Sequence, residues 1–247
     1  MPNANVSSSL KEVYDQQYTN SDAAWREIGA RQKVDAIVGL CGKYGFKKML
    51  DVGSGDGAVL KGLDQCNFAE TMFSVEISES GIEKIKARNL SSLKEIQLFD
   101  GYKIPHNDKV FELATCSHVI EHVEHPRLLL REIARVSEYQ FFEIPIDFSF
   151  YVDEKVQHFL DYGHINIYTP ALFKFLLKSE GFEILDETFI FFEADIVNYY
   201  IKSPQKRFIN RVKTFFQKNI PAIRKIKPNH YAVLCRAKAG KSEPQIF

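Results

Sequence analysis

Five residues able to carry acid–base or metal chemistry lie close together in the middle of the chain: His118, Glu121, His122, Glu124 and His125. The first three are spaced i, i+3 and i+4, so they face the same way if the segment is helical. The order H-x-x-E-H is also that of an inverted zinc-protease motif. We disfavour a protease, because the motif follows a predicted strand instead of lying inside a long helix.

A glycine-rich turn earlier in the chain predicts where a nucleotide-type ligand binds. Residues 47–60 have the pattern of a short buried strand, a turn containing Gly53, Gly55 and Gly57, and a helix that Asp56 is expected to cap. Glycine lets the backbone turn sharply and approach a ligand closely, because it has no Cβ. Such a strand, turn and helix N-terminus form a nucleotide-type site at the carboxyl end of a parallel sheet.

The spacing of the glycines indicates which kind of nucleotide-type ligand the turn binds. The order is G-x-G-x-G after an acid, Asp51, whereas a dinucleotide fold requires G-x-G-x-x-G. The next predicted strand ends at Glu76, and a carboxylate there suits a ribose diol because it accepts from both hydroxyls. No arginine closely follows Glu76, which argues against a 2′-phosphate. A nucleotide-dependent oxidoreductase is therefore disfavoured.

In their order and spacing these stretches resemble the class I S-adenosylmethionine-dependent methyltransferases. The resemblance covers about residues 45–190 and rests on Asp51, Gly53, Gly55 and Gly57, then Glu76, then Phe99-Asp100-Gly101 with Ile104-Pro105, then residues 117–123. It implies S-adenosyl-L-methionine as the cofactor. The residues it implies as cofactor-binding are Asp51, Gly53, Ser54, Gly55, Glu76, Ile77, Asp100, Gly101, Ser117 and His118. In this assignment Asp100 accepts from the adenine amino group, and an Asx-type turn is the alternative role for that acid.

Alternating strand and helix patterns predict an α/β fold, a Rossmann-like, doubly wound, mostly parallel seven-stranded sheet. The resemblance implies an antiparallel C-terminal hairpin. We expect a single methyltransferase domain over residues 1–247, with a helical cap (8–44), a catalytic core (45–194 and 230–238) and a basic helical insertion (195–229). Tyr14, Tyr18 and Trp25 are candidates either for a lid over the cofactor or for packing the cap on the sheet.

Two interpretations of the histidine-rich segment stay open. In many small-molecule methyltransferases of this type it is a turn without metal, and His122 or His164 is then the expected base. In a subset that methylates small RNAs or ubiquinone precursors, E-x-x-E-H holds a divalent metal. This chain has Glu121 and His122 but carries His118 in place of the first glutamate, and His164 matches a later histidine of the RNA enzymes. The implied metal ligands are His118, Glu121, His122 and His164, a set that favours a transition metal over magnesium.

The predicted insertion is strongly basic. Residues 202–227 hold nine basic residues and no acid, with Phe208, Ile209, Val212, Phe215, Phe216 and Ile220 at helical spacing. The plainest interpretation is a helix that packs its apolar side on the domain. The alternatives are a lid over an anionic substrate, an interfacial helix on anionic lipid, or a contact with RNA phosphates. The chain has 32 basic and 32 acidic residues, which disfavours RNA.

Together these features favour a cytoplasmic methyltransferase that modifies an oxygen of a small molecule, such as a sugar, a glycan precursor or another metabolite. The scattered Cys41, Cys66, Cys116 and Cys235 favour reduced thiols, and no apolar run of membrane-spanning length occurs. An RNA 2′-O- or lipid-directed methyltransferase using residues 202–227 is one alternative. A non-catalytic binding protein on the same fold is another, and the oligomeric state stays open.

Overall fold

A computed structural model describes residues 23–148, 152, 155–220 and 228–237 of the chain, so Tyr14 and Tyr18 lie outside the described residues. Seven strands are formed: β1 (Lys48–Val52), β2 (Thr71–Glu76), β3 (Leu93–Leu98), β4 (Phe111–Ser117), β5 (Ser137–Pro145), β6 (Phe182–Ile190) and β7 (His230–Ala237). They build one sheet in the order β3-β2-β1-β4-β5-β7-β6.

Eight helices of the described chain connect or cover these strands. They are α1 (Ala23–Cys41), α2 (Ala58–Gln65), α3 (Glu79–Ala87), α4 (Pro126–Val136), α5 (Val156–Tyr162), α6 (Pro170–Ser179), α7 (Ala194–Tyr200) and α8 (Pro204–Asn219), with short 3-10 turns at Gly42–Tyr44 and Ile120–His122. The Thr169 side chain accepts from the Leu172 amide and Pro170 opens α6, so this helix begins with a side-chain cap followed by proline at its first position. Among the described helices, none is both long and apolar enough to cross a bilayer.

The pairing of the strands confirms the predicted sheet. Strands β3, β2, β1, β4 and β5 run parallel, while β7 runs antiparallel to both β5 and β6. The chain winds from β1 outwards to β3 and then returns to place β4 on the other side of β1. This reversal of strand order is the point at which open α/β sheets bind ligands, at the carboxyl ends of the strands.

Helices cover both faces of the sheet, which is why its central strands β1, β4 and β5 are buried along most of their length. On one face Leu50 and Phe142 pack with α4 and α6. On the other, Met49 and Phe141 pack with α1, α2 and α3. Neighbouring residues in a strand point to opposite faces, so Met49 and Leu50 belong to different halves of the core.

The helices of the predicted insertion, α7 and α8, differ from the plainest expectation. Phe208, Ile209 and Phe215 on α8 are 68%, 65% and 63% exposed. The apolar side of α8 therefore faces away from the domain, and the expected packing of that side on the domain is wrong. Trp25, a candidate either for the lid or for packing the cap on the sheet, stacks at 5.3 Å on Tyr199 and meets Tyr200 edge-on at 4.6 Å, both on α7. A role for Trp25 in a lid stays a prediction.

Candidate active site

The turn after β1 depends on its glycines. Gly53, Gly55 and Gly57 have φ values of 75°, 58° and 77°, in the left-handed region that other residues adopt at a cost. At Gly53 a Cβ would also lie only 2.5 Å from Cγ2 of Val119. The segment after β4 therefore lies directly against the glycine turn, and the two together form one wall of the site.

Glu76, at the end of β2, holds this turn in place. Its Oε2 accepts from the Gly55 amide at 2.7 Å, and its Oε1 accepts from the amides of Ile77 at 2.9 Å and Ser78 at 3.1 Å. Burial raises the pKa of Glu76 to about 7, and the three amides act in the opposite direction. Three of about four acceptor positions of the carboxylate are thus filled. Its contact with a ribose diol stays a prediction.

Asp51 and Ser54 lie under the turn. Asp51 accepts from the Thr115 hydroxyl at 2.6 Å, across the β1–β4 pair, and burial raises the pKa of its carboxyl. Ser54 accepts from the Ser74 hydroxyl at 2.8 Å and donates to the Asp51 carbonyl at 3.3 Å. These contacts join β1, β2 and β4 at the edge where the predicted cofactor residues meet.

Asp100 adopts the alternative role considered for it. Its Oδ1 accepts from the backbone amides of Tyr102 at 2.8 Å and Lys103 at 2.6 Å, which is an Asx-type turn. Gly101 within this turn has a φ of 95°. A contact between Asp100 and adenine stays a prediction.

A network of charged residues joins α1 to the glycine turn, and no local sequence pattern indicated it. Asp56 of the turn pairs with Arg26 of α1 at 2.9 Å and with Arg88, just after α3, at 3.1 Å. Arg88 also donates to the Asp56 carbonyl and to Glu27 of α1, both at 2.6 Å. Lys61 of α2 pairs with Glu27 at 3.0 Å. Three helices therefore position the turn.

Glu121, His122 and His164 form a cluster of side chains of the kinds that bind metal ions or transfer protons. Their ligand-type atoms all lie within 4.8 Å of one another. The side chain of Glu121 is 1% exposed, and within the described part of the chain neither of its oxygens has a hydrogen-bond partner. Burial raises the pKa of Glu121 to about 7, while its own backbone amide and the neighbouring His164 act in the opposite direction. Burying a carboxyl that has no hydrogen-bond partner costs free energy. This burial therefore indicates that the Glu121 carboxyl carries a proton or binds a ligand.

Each imidazole of this cluster has a hydrogen-bond acceptor at its Nδ1 atom. Nδ1 of His122 donates to the Gly163 carbonyl at 3.0 Å, and Nδ1 of His164 lies 2.5 Å from Oδ2 of Asp147. Nε2 of His122 then lies 3.7 Å from Oε1 of Glu121. An acceptor behind each ring sets its tautomer and orientation, as it does for metal-bound histidines. Burial and the neighbouring His164 lower the pKa of His122 to about 4, so its ring is neutral.

Hydrogen bonds of Asn166 hold His164 near Glu121 and His122, which lie about forty positions earlier in the sequence. The Asn166 amide donates to the Glu121 carbonyl at 2.9 Å, and its side-chain nitrogen donates to the Val123 carbonyl at 2.7 Å. The segment before α6 is thereby fixed along the segment after β4.

The structure divides the four predicted metal ligands. His118 has a φ of 57°, before the short 3-10 turn at Ile120–His122, so the three residues do not share one regular helical face. His118 approaches Glu121 from another direction, with Nδ1 at 3.6 Å from Oε1. It instead forms a second group with Glu143 and His230, within 4.8 Å of one another.

Glu143 and His230 were missed by the sequence reasoning. Oε1 of Glu143 lies 3.2 Å from Nε2 of His118 and 2.9 Å from Nδ1 of His230, and its Oε2 accepts from Ser117 at 3.2 Å. The neighbouring histidines hold the pKa of Glu143 well below its usual range, against the effect of burial. Glu143 is paired with Ser117 in the β4–β5 register, so an acid near the end of the fifth strand was the available signal.

A seven-stranded sheet of this topology, with a glycine turn after β1 and an acid at the end of β2, defines the class I S-adenosylmethionine-dependent methyltransferase fold. Residues 24–187 match the family model described as a methyltransferase domain, and the chain belongs to this family. YrhH of Bacillus subtilis (strain 168), named as a candidate methyltransferase, is 29% identical over 107 residues. That stretch spans 42% of this chain and only 56% of YrhH.

Solved structures share the fold at low sequence identity. A chain in the complex between the Haloferax volcanii Trm112 methyltransferase activator and a methyltransferase has a TM-score of 0.66 at 13% identity, covering 91% of this chain and 97% of that chain. Magnesium protoporphyrin IX methyltransferase from Synechocystis PCC 6803, with bound SAH, has a TM-score of 0.61 at 12% identity, covering 93% and 99%. The cofactor of this fold is S-adenosyl-L-methionine.

Proposed function

We propose that this S-adenosylmethionine-dependent methyltransferase transfers the methyl group to an oxygen of a small molecule, with a divalent metal ion held by Glu121, His122 and His164. The observation that carries the proposal is the Glu121 carboxyl, which is buried between two oriented imidazoles and has no hydrogen-bond partner among the described residues. A cation between these three side chains removes the cost of that burial.

The donor set favours a transition metal. Two imidazoles and one carboxylate suit zinc, iron or cobalt better than magnesium, which prefers oxygen ligands and keeps several waters. A divalent cation here supplies positive charge that lowers the pKa of a hydroxyl placed against it. His118, whose Nδ1 lies 3.6 Å from Oε1 of Glu121, belongs to the group with Glu143 and His230, so the proposed ligand set does not include it.

The glycine turn suits the cofactor because it exposes backbone without side chains, and Glu76 lies beside it at the end of β2. When bound, S-adenosyl-L-methionine supplies an activated methyl group on a sulfonium. The residues of this chain must then hold the acceptor oxygen in line with the methyl group and accept the proton of that oxygen. Ser117 and His118, between the turn and the Glu121 cluster, are the proposed neighbours of the methionine end.

The metal ion is tested with cobalt, whose absorption spectrum reports coordination. Protein depleted of metal is titrated with Co²⁺, and we expect about one ion per chain with imidazole–carboxylate ligation. Glu121→Gln and His164→Ala should each weaken cobalt binding at least tenfold, since each removes one ligand. The matched control is His125→Ala, a change of an exposed histidine in the same segment, which should bind cobalt like the unaltered protein.

Calorimetry with S-adenosylhomocysteine on the same variants distinguishes loss of the metal site from loss of the cofactor site. Retained binding of this product with lost cobalt binding supports a metal site distinct from the cofactor site. Equal cobalt binding by Glu121→Gln and the unaltered protein overturns the metal, and a histidine is then the base. Methyl transfer from labelled cofactor to amines but not to hydroxyl compounds overturns O-methylation.

A further inference from the structure

Helix α8 is amphipathic in the opposite sense to an ordinary surface helix. The side nearest the protein is polar, because Arg207, Asn210, Thr214 and Gln217 are its least exposed residues, at helical spacing. Gln217 is 6% exposed. The outward side carries Phe208, Ile209, Val212, Phe215 and Phe216, which are 68%, 65%, 41%, 63% and 49% exposed. At 100° per residue these five side chains span an arc of about 120°.

Specific contacts set this rotation of the helix. Nε of Arg207 donates to the Ile201 carbonyl at 2.5 Å, and an Nη nitrogen donates to the Asn198 carbonyl at 3.0 Å. Both acceptors lie at the end of α7, so Arg207 is tied to the domain on the side opposite to the apolar arc. The outward position of the apolar residues is therefore part of how α8 is attached.

Positive charge borders the apolar arc on both flanks. Lys206 and Lys213 lie on one flank and Arg211 on the other, and all three residues are exposed. The chain has no acidic residue from 196 to 242. An apolar strip between basic flanks, on a helix lying at the surface, is the pattern of helices that bind the interface of anionic bilayers.

Aromatic residues extend this surface toward the candidate active site. Tyr199 and Tyr200, at the end of α7, pack on Trp25. The Tyr200 hydroxyl is hydrogen-bonded to Tyr162, whose ring lies 5.8 Å from that of His164. Tyrosine and tryptophan are enriched at the level of lipid headgroups. The end of α7, to which Arg207 attaches α8, is thus linked through these tyrosines to His164 of the cluster around Glu121.

We propose that α8 docks the protein on an anionic lipid surface, with its apolar arc in the headgroup region and its basic flanks against the lipid charges. A second copy of the chain is a poorer occupant, because an isologous contact would bring two basic flanks together. RNA is a poorer occupant because Ile209 and Val212 cannot stack on bases. This proposal does not depend on the identity of the methyl acceptor.

Sedimentation with vesicles of phosphatidylcholine alone, or with phosphatidylglycerol added, tests the docking on the full chain. We expect binding to the anionic vesicles only, falling as salt is raised. The paired change Phe208→Ser with Phe215→Ser should weaken it at least tenfold, as should Arg211→Glu with Lys213→Glu. Leu98→Ser is the matched control, since Leu98 is 48% exposed on the opposite edge of the sheet.

Affinity for S-adenosylhomocysteine is measured in parallel and should be unchanged in every variant, which shows that each is folded. Equal sedimentation of the unaltered protein and the Phe208→Ser, Phe215→Ser variant overturns the proposal. So does equal binding to neutral and anionic vesicles. A dimer, or a complex with homopolymer RNA, that is lost in these variants while vesicle binding is absent would assign the surface to that partner instead.

Discussion

At the scale of single residues, the site combines groups that are unfavourable by themselves. Gly53 needs a positive φ and has no room for a Cβ, and His118 adopts a left-handed conformation. Glu121 is buried with no hydrogen-bond partner among the residues that the structure describes. Strain and unpaired burial of this kind persist where the surrounding structure enforces them, and they concentrate at functional sites. All three lie within the contact between the glycine turn and the segment after β4.

Gly53→Ala, compared with a control glycine, distinguishes the free-energy cost of a positive φ from the cost of the contact between an added Cβ and Val119. Gly45 is its matched control, with φ of 62° and nothing within 4 Å of an added Cβ. We expect Gly45→Ala to lower the free energy of unfolding by about 1 kcal/mol, and Gly53→Ala by about 2–4 kcal/mol. Denaturant unfolding measures both, and adding Val119→Ala should restore part of the second loss. Equal losses in the two glycine variants would show that the contact with Val119 is unimportant.

Glu76 gives the cofactor site a dependence on pH. Because the pKa of Glu76 is raised to about 7, its carboxyl is protonated below that pH and loses acceptor strength toward a ribose hydroxyl. We expect affinity for S-adenosylhomocysteine to rise between about pH 6 and pH 8 and then level off. Calorimetry across this range checks the profile. Glu76→Gln should bind more weakly and show a flatter profile, and an unchanged profile would assign the titration to another group.

At the scale of elements, the site is positioned by helices that do not themselves enter it. Helix α1 reaches the glycine turn through Arg26 and Glu27, and the end of α3 reaches it through Arg88. On the other side, Asn166 ties the segment before α6 to the segment after β4. The turn and the histidine cluster are therefore each fixed from outside by hydrogen bonds between distant segments.

Arg88→Ala tests the first of these attachments. The Arg88 side chain is 16% exposed and contacts both Asp56 and Glu27, so its removal leaves a mostly buried carboxylate with fewer partners. We expect a loss of about 2–3 kcal/mol in the free energy of unfolding, together with weaker binding of S-adenosylhomocysteine.

Arg31→Ala is the control for Arg88→Ala, because its pair with Asp195 spans 3.6 Å between side chains that are 73% and 68% exposed. We expect its effect on unfolding to be below about 0.5 kcal/mol. Comparable losses in the two arginine variants would remove the proposed role of Arg88.

At the scale of the whole molecule, zero net charge conceals a separation of charge along the chain. Residues 196–242 contain twelve basic residues and no acid, so the rest of the chain contains 20 basic and 32 acidic residues. On the described part of this segment, Lys206, Arg211 and Lys213 of α8 are exposed, so an anionic surface should attract this helix. The acidic excess of the rest of the chain should oppose other orientations of the proposed docking.

The fold was predictable because its determinants are local. Alternation of strand and helix patterns, the glycine turn and the acid at Glu76 each occupy a few consecutive residues, and the parallel sheet, the antiparallel β5-β7-β6 pairing and the methyltransferase family were confirmed. The start of α6 is encoded in the same local way, by the capping Thr169 followed by Pro170. Helix spacing also located the apolar stripe of α8, but spacing cannot tell whether a stripe faces the core or the solvent.

The sequence by itself determined the class of fold and the cofactor, and it predicted the edge of the sheet where we propose that the chemistry takes place, because those depend on short patterns of residue type. Only the tertiary structure decided how the polar residues group there. Glu143 and His230 join His118, while Glu121 stays with His122 and His164 and the Asx turn occupies Asp100. Those groupings arise where distant segments meet, at distances of a few ångströms that no local spacing encodes. The outward face of α8 likewise depends on how Arg207 attaches it to α7.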